Sequence, residues 1–194
     1  MKVYCATTNA GKIREFRLAA GNGLEIEPAP GLDRILPCEE TGVTFEENAG
    51  HKARYYAAQI SGYVFAEDSG LVVDALGGEP GVHSARFAGP GATDEQNNRR
   101  LIERLGCAPE RSARYVCVIA LARDGQVIRL FRGEVNGKIL DAPRGIGGFG
   151  YDPLFCYEPL GRSFAELSDQ EKQTVSHRGR ALRLFVEFLK PLIV

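Results

Sequence analysis

Residues 64 to 73 read Val-Phe-Ala-Glu-Asp-Ser-Gly-Leu-Val-Val, two adjacent carboxylates inside an apolar run. β-Branched and aromatic residues on both sides favour strand. Successive strand side chains point to opposite faces, so Glu67 and Asp68 diverge and only one need face a cleft. Ionised carboxylates in a buried strand are costly unless positive charge compensates them. Gly70 permits either a sharp bend or a close backbone approach. Two readings stay open here: a divalent-metal or general-base carboxylate at a strand end, and an acidic turn between two strands. The other charged clusters have to decide.

Compensating cations must be local, because the formal net charge is −1. That balance gives no basic field for a nucleic-acid polymer or a membrane surface. With 194 residues, 44% hydrophobic and 25% charged, the chain suits one soluble folded unit over 1–194, either a large domain or a two-lobed one. Five cysteines, an odd number without CxxC or Cys/His spacing, point to reduced thiols in the cytoplasm. The apolar run in MKVYCATTNAGK is too short for a signal peptide, and no stretch is long enough to span a bilayer.

From the N-terminus, Lys2 to Thr7 reads as a strand. Thr7-Thr8-Asn9-Ala10-Gly11-Lys12 follows, then a helix with Ile13, Phe16 and Ala20 inward and Gly21 to Gly23 as its stop. Strand, small-residue loop and helix start suit a phosphate, since free N–H groups and the positive helix end face the anion and Lys12 adds a charge. The loop is not a Walker A loop, and an ordinary capped helix with a solvated Lys12 stays open. Leu24 to Glu27 alternates like a strand. After the carboxylate pair Glu39–Glu40, Thr44-x-x-Glu47 is a capping box. It opens a helix with Phe45, Ala49, Ala53, Tyr56, Ala57 and Ile60 inward and Lys52 on an adjoining polar row.

The Gly- and Pro-rich stretch 75–91 is long enough to suggest function; within it Arg86 is a candidate ligand contact and His83 a structural residue. Thr93-x-x-Gln96 caps a helix with Leu101, Ile102 and Leu105 inward and Gly106 as its stop. Residues 113–122 and 126–135 read as strands joined by a hairpin at Arg123-Asp124-Gly125, with Asn136-Gly137 a second tight turn. Consecutive hairpin strands imply an antiparallel part of a sheet that helices cover elsewhere. Dense glycines in 145–153 let the backbone approach something flat. Phe149 or Tyr151 is placed to stack on a base, and Asp152 to read ring N–H groups. Ser168-x-x-Glu171 caps a last helical stretch with Val175, Leu182, Phe185 and Leu189 inward. On one unbroken helix Lys172 and Arg178 stand roughly 240° apart, so a break at Ser176 is expected, with His177 and Arg178 at a new helix start.

Basic or donor-rich elements (Thr7 to Lys12, Lys52, Lys172, His177–Arg178) together with two carboxylate pairs suit a phosphate ligand with bound Mg²⁺. The aromatic loop adds a base, and a nucleoside triphosphate uses everything.

The segments TTNAGKIREF, EETGVTFEENAGHKA, FAEDSGLVVDALGGEPGVHSARFAG, GGFGYDPLF and AELSDQEKQTVSHRGRAL, in this order, closely resemble the inosine triphosphate pyrophosphatase family, the non-standard purine (dITP/XTP) pyrophosphatases. The resemblance implies a two-lobed α/β fold, a single domain with a long central mixed β-sheet flanked by helices and the active site in the inter-lobe cleft. It implies Mg²⁺-dependent hydrolysis of ITP, dITP and XTP to the monophosphate and pyrophosphate, by a homodimer. Carried over, Thr7, Thr8, Asn9, Ala10, Gly11 and Lys12 form the phosphate loop, and Lys52 meets the triphosphate. Asp68 becomes metal ligand and water-activating base, and Ser69 a substrate contact. Glu40 is a metal ligand, with Glu39 and Glu67 as lesser candidates. Phe149, Gly150, Tyr151 and Asp152 form the base pocket, and Lys172, His177 and Arg178 the remaining substrate contacts. Thr8 departs from the usual Gly, and Glu67 from the Asp of most bacterial members. Two rivals stand beside this reading: a non-catalytic nucleotide sensor, and a pyrophosphatase for other modified nucleotides.

Overall fold

The computed structural model describes residues 1–20 and 24–192. Gly21 to Gly23, expected to stop the first helix, lie outside the described residues. Seven strands form one sheet: β1 (Lys2–Cys5), β2 (Glu25–Pro28), β3 (Tyr63–Val73), β4 (Ser112–Arg123), β5 (Gln126–Ile139), β6 (Phe155–Tyr157) and β7 (Arg162–Ser163). Their spatial order is β2-β1-β3-β4-β5-β6-β7. β1 pairs in parallel with β2 and β3, and every later pairing is antiparallel. The helices are α1 (Ala10–Ala20), α2 (Phe45–Ala57), α3 (Asp94–Leu105), α4 (Asp169–Val175) and α5 (His177–Leu189).

The 64–73 stretch is one unbroken strand, so the two-strand turn is excluded. Alternation along it builds the cleft. Phe65 packs with Phe16, Ile119 and Phe185 in a cluster under α1 and α5. Leu71 and Val73 belong to a second cluster with Leu101, Tyr115, Phe155 and Phe164. Glu67 and Ser69 share the face of these residues and fall between the clusters. The even-numbered side, Val64, Ala66 and Val72, packs with Ala49, Ala53 and Tyr56 of α2. Of the two roles open to Gly70, the structure takes the close approach: a Cβ there would collide with the Gly81 carbonyl and the Ser84 hydroxyl.

β5 runs through Asn136 and Gly137, which pair with Arg114 and Ala113. The expected tight turn is therefore absent. Gly137 is needed because a Cβ would strike the Cys156 carbonyl and the Phe155 ring. At the start of α2, Thr44 Oγ1 accepts from Glu47 N at 3.1 Å. The Glu47 carboxylate reaches one residue further back than a capping box requires, accepting from Val43 N at 2.8 Å. The break at Ser176 is present: Ser176 ends α4 and its hydroxyl caps α5 by accepting from Gly179 N at 3.0 Å.

Candidate active site

One cleft between the two clusters is lined by Asn9, Lys12, Ser69, Phe149, Gly150, Tyr151, Asp152, Lys172, His177 and Arg178, among others. These come from five separated segments. At the loop after β1, Thr7 Oγ1 accepts from Asn9 N at 3.2 Å and Asn9 Oδ1 from Lys12 N at 3.0 Å. The side chain of Asn9 thus begins α1, while Thr8 and Ala10 stay exposed. Gly11 lies against Phe149, whose ring an added Cβ would meet at 3.0 Å.

Glu67 faces α1 and α5. Its carboxylate binds Arg178 Nε at 2.8 Å and Lys12 Nζ at 2.6 Å, and accepts from the Cys117 thiol at 3.1 Å. Burial opposes its ionisation, but Arg178 and Lys12 hold the carboxyl well below the ordinary range. Its place is in this ion network, on the face of β3 opposite Asp68. Asp68 faces α2 and shares Lys52 with Glu40: Lys52 Nζ stands 3.0 Å from Asp68 Oδ1 and 2.7 Å from Glu40 Oε1. Arg86 reaches Glu40 Oε2 at 3.2 Å. Burial raises the Asp68 pKa despite Lys52; Glu40, though partly buried, is lowered by Lys52 and Arg86. Glu39 is exposed, and its carboxylate has no partner among the described residues. The four acids therefore do not gather at one point. No group of three His, Cys, Asp or Glu side chains among the described residues is arranged to hold a metal.

Behind the aromatic loop, Lys172 Nζ binds Asp152 Oδ2 at 2.7 Å and Glu15 Oε1 at 2.9 Å. Arg178 also binds Glu15, at 2.6 Å, and Ser69 Oγ at 3.0 Å. Arg178 makes four such bonds with five N–H groups, and Lys172 makes two with three. Each cation keeps one donor without an acceptor among the described residues. The Phe149 ring lies over both, 4.7 Å from Lys172 Nζ and 5.4 Å from the Arg178 guanidinium carbon, within cation–π range. Tyr151 is different from Phe149: its ring is buried and its hydroxyl donates to Ser84 O at 2.8 Å. It pins the loop and is not placed to stack on a base.

Glu15, Tyr115 and Asn48 were not singled out by the sequence. Glu15 is the only acid on the buried face of α1, next to Phe16, and that position was the available signal. Asn48 is fully buried and donates to Asp68 Oδ2 at 3.3 Å; four residues before Lys52, it shares that residue's side of α2, and this spacing was the available signal. Tyr115 stacks on the His177 ring, centroids 4.5 Å apart and planes 7° apart, a contact between distant segments.

His177 gives a pH prediction. Burial, then Arg178 and Lys172, push its pKa well below 6.5. Below that pH the unfolded chain binds a proton that the folded chain refuses. Stability is complete above pH 6.5 and falls beneath it, by up to about 1.4 kcal/mol per pH unit. Glu67 and Glu15, also lowered, act in the same sense below pH 4.5. Urea midpoints should drop between about pH 7.5 and about pH 5.5. His177→Gln should flatten most of that slope, and an unchanged slope would refute the assignment.

The class that this architecture defines is an α/β protein whose cleft suits a ligand bearing both negative charge and a flat ring. Within that class the chain belongs to the Ham1 family, whose model matches residues 3–188. It is 52% identical to a dITP/XTP pyrophosphatase of Symbiobacterium thermophilum, over 99% of this chain and 96% of the relative. The identity is 49% to one of Acidobacterium capsulatum, over 96% and 97%. Among solved structures, the Staphylococcus aureus Ham1 protein superposes with a TM-score of 0.88 at 39% identity, covering 99% of this chain and 100% of that one. The five-motif resemblance is thereby borne out, and the fold with it.

Proposed function

We propose that this chain is a nucleoside triphosphate pyrophosphatase that hydrolyses deaminated purine nucleotides (ITP, dITP, XTP) to the monophosphate and pyrophosphate. The observation that carries the reading is the Asp68–Lys52–Glu40 unit, set one residue along β3 from the network backing the aromatic pocket. A buried carboxylate with a raised pKa is a better proton acceptor than an exposed one. Asp68 takes the proton of a water attacking the α-phosphorus as the α–β phosphoanhydride bond breaks. Lys52 and Lys12 offset the charge growing on the phosphates, and the loop from Thr7 holds them with backbone N–H groups.

Glu40 and Asp68 fit Mg²⁺. An ammonium already sits between them, and this ion is commonly held by one or two carboxylates, with phosphate and water completing its shell. When bound, it supplies charge neutralisation on the phosphates. The spare N–H groups of Lys172 and Arg178 favour a purine with an acceptor at position 6; an adenine amino group would face donors and leave them unpaired, a cost of about 1–3 kcal/mol.

The family resemblance further supports a homodimer, the thiol count a cytoplasmic protein, and the net charge of −1 a small nucleotide rather than a nucleic-acid polymer as ligand. Sedimentation tests the dimer. For the activity, pyrophosphate release from dITP, XTP, dGTP, dATP and a set of modified pyrimidine and methylated nucleotides is measured with Mg²⁺ and with chelator. Release from dITP and XTP that chelator stops is expected. Tight binding without release would favour a sensor instead.

A further inference from the structure

The chemistry above makes no use of the polar side of α3. Asp94, Asn97 and Asn98 stand at i, i+3 and i+4, on one face of that helix. Its later residues Leu101 and Leu105 are anchored in the core. From this fixed base, two of the three side chains grip Gly150 at both ends of its residue. Gly150 N donates to Asp94 Oδ2 at 2.6 Å, and Gly150 O accepts from Asn98 Nδ2 at 2.8 Å. The same Asn98 amide donates to Asp94 O at 2.8 Å, which ties the grip to the helix backbone. Asn97 holds the neighbouring wall, accepting from Ala88 N at 2.8 Å and donating to Ala85 O at 3.2 Å.

Gly150 has φ +63° and nothing within 4 Å of an added Cβ. No side-chain packing holds Gly150 itself; the two hydrogen bonds do, beside the Tyr151 hydroxyl on Ser84 O and the Phe149 N–H on Asp152 Oδ2, both at 2.8 Å. Phe149 and Asp152, the ring over the two cations and the partner of Lys172, lie on either side. We infer that Asp94 and Asn98 are positioning residues that set the geometry of the base loop and through it the choice among purine bases. The inference rests on the pyrophosphatase reading. A site held by its supporting contacts loses selectivity when these are cut, because the groups that meet the ligand drift from their productive positions.

The test compares wild type, Asp94→Ala, Asp94→Asn and Asn98→Ala. It measures kcat and KM for dITP and dGTP, calorimetric affinity for inosine monophosphate, and hydrogen exchange across residues 145–153 in the free protein. Asp94→Ala should raise KM for dITP about tenfold, with a smaller fall in kcat, and narrow the dITP-to-dGTP ratio of kcat/KM. It should also weaken monophosphate binding and speed exchange in the loop. Asp94→Asn keeps an acceptor oxygen and should restore all of these. Asn98→Ala carries the same expectations if Asp94→Ala does not fold. Wild-type KM and selectivity in the Ala variants would overturn the inference. An Asp94→Asn as impaired as Asp94→Ala would do so too, since that result makes the charge and not the grip responsible. If wild type fails to hydrolyse dITP, the pyrophosphatase reading falls, and monophosphate affinity and exchange decide the grip alone. If wild type neither hydrolyses dITP nor binds the monophosphate, both readings fall.

Discussion

Asp68→Asn is expected to lower dITP turnover by on the order of 10³-fold, the worth of a positioned general base, while nucleotide affinity stays within a few-fold of wild type. The substitution is nearly isosteric. An amide oxygen can still accept from Lys52, which now stands 3.0 Å from Asp68 Oδ1. The Asn48 amide, 3.3 Å from Oδ2, loses that long hydrogen bond to the new NH₂ group, because its own oxygen is held by Gly42 N at 2.8 Å and does not turn. Shape and the Lys52 contact therefore survive, and what disappears is the ability to hold a proton. Steady-state kinetics beside equilibrium binding of dITP to the variant separate the two. Near-normal kcat would remove Asp68 from the role of base.

Arg178→Met should be the most destabilising single change in the cleft. Arg178 is 2% exposed and its guanidinium spans Glu67 and Glu15. Lys12 and Lys172 supply the other positive charges, and Asp152 the third acid. Three cations thus meet three buried carboxylates, and removing one leaves an uncompensated negative charge in a desolvated place. The loss should be about 3–5 kcal/mol, a fall in Tm on the order of 10 °C for a chain of this size. Adding Glu15→Gln to Arg178→Met should recover part of it, because the second change removes one orphaned charge. Calorimetry of the wild type, both single variants and the double variant gives the cycle. A loss below about 1 kcal/mol would show that water reaches the network and screens it.

Much of this architecture was legible because local chemistry and tertiary structure agree. The period of two in 64–73 separated Glu67 from Asp68, and the geometry of a 3.6-residue turn required the break that Ser176 makes. Elsewhere, local signals misled. Asn136-Gly137 has the composition of a turn, but here glycine serves the approach of Phe155 and Cys156, a demand invisible without the neighbouring strand. The carboxylate pairs at 39–40 and 67–68 left Glu39 and Glu67 as lesser metal candidates beside Glu40 and Asp68. The fold instead gives Glu67 to Arg178, 111 residues away, and leaves Glu39 at the surface. Glu15 was missed for a related reason: its partner Arg178 is 163 residues distant, and no periodicity reports such a pairing.

The position of Glu67 and Asp68 between two apolar anchors makes β3 a ruler. Phe65 is tied to one cluster and Leu71 to the other, so the number of residues between them is constrained as tightly as their identity. Adding or deleting one there would exchange the faces of the two acids, handing Asp68 to the arginine and Glu67 to Lys52. Variation in chain length within such proteins should therefore collect in hairpin tips, with this interval kept at constant count.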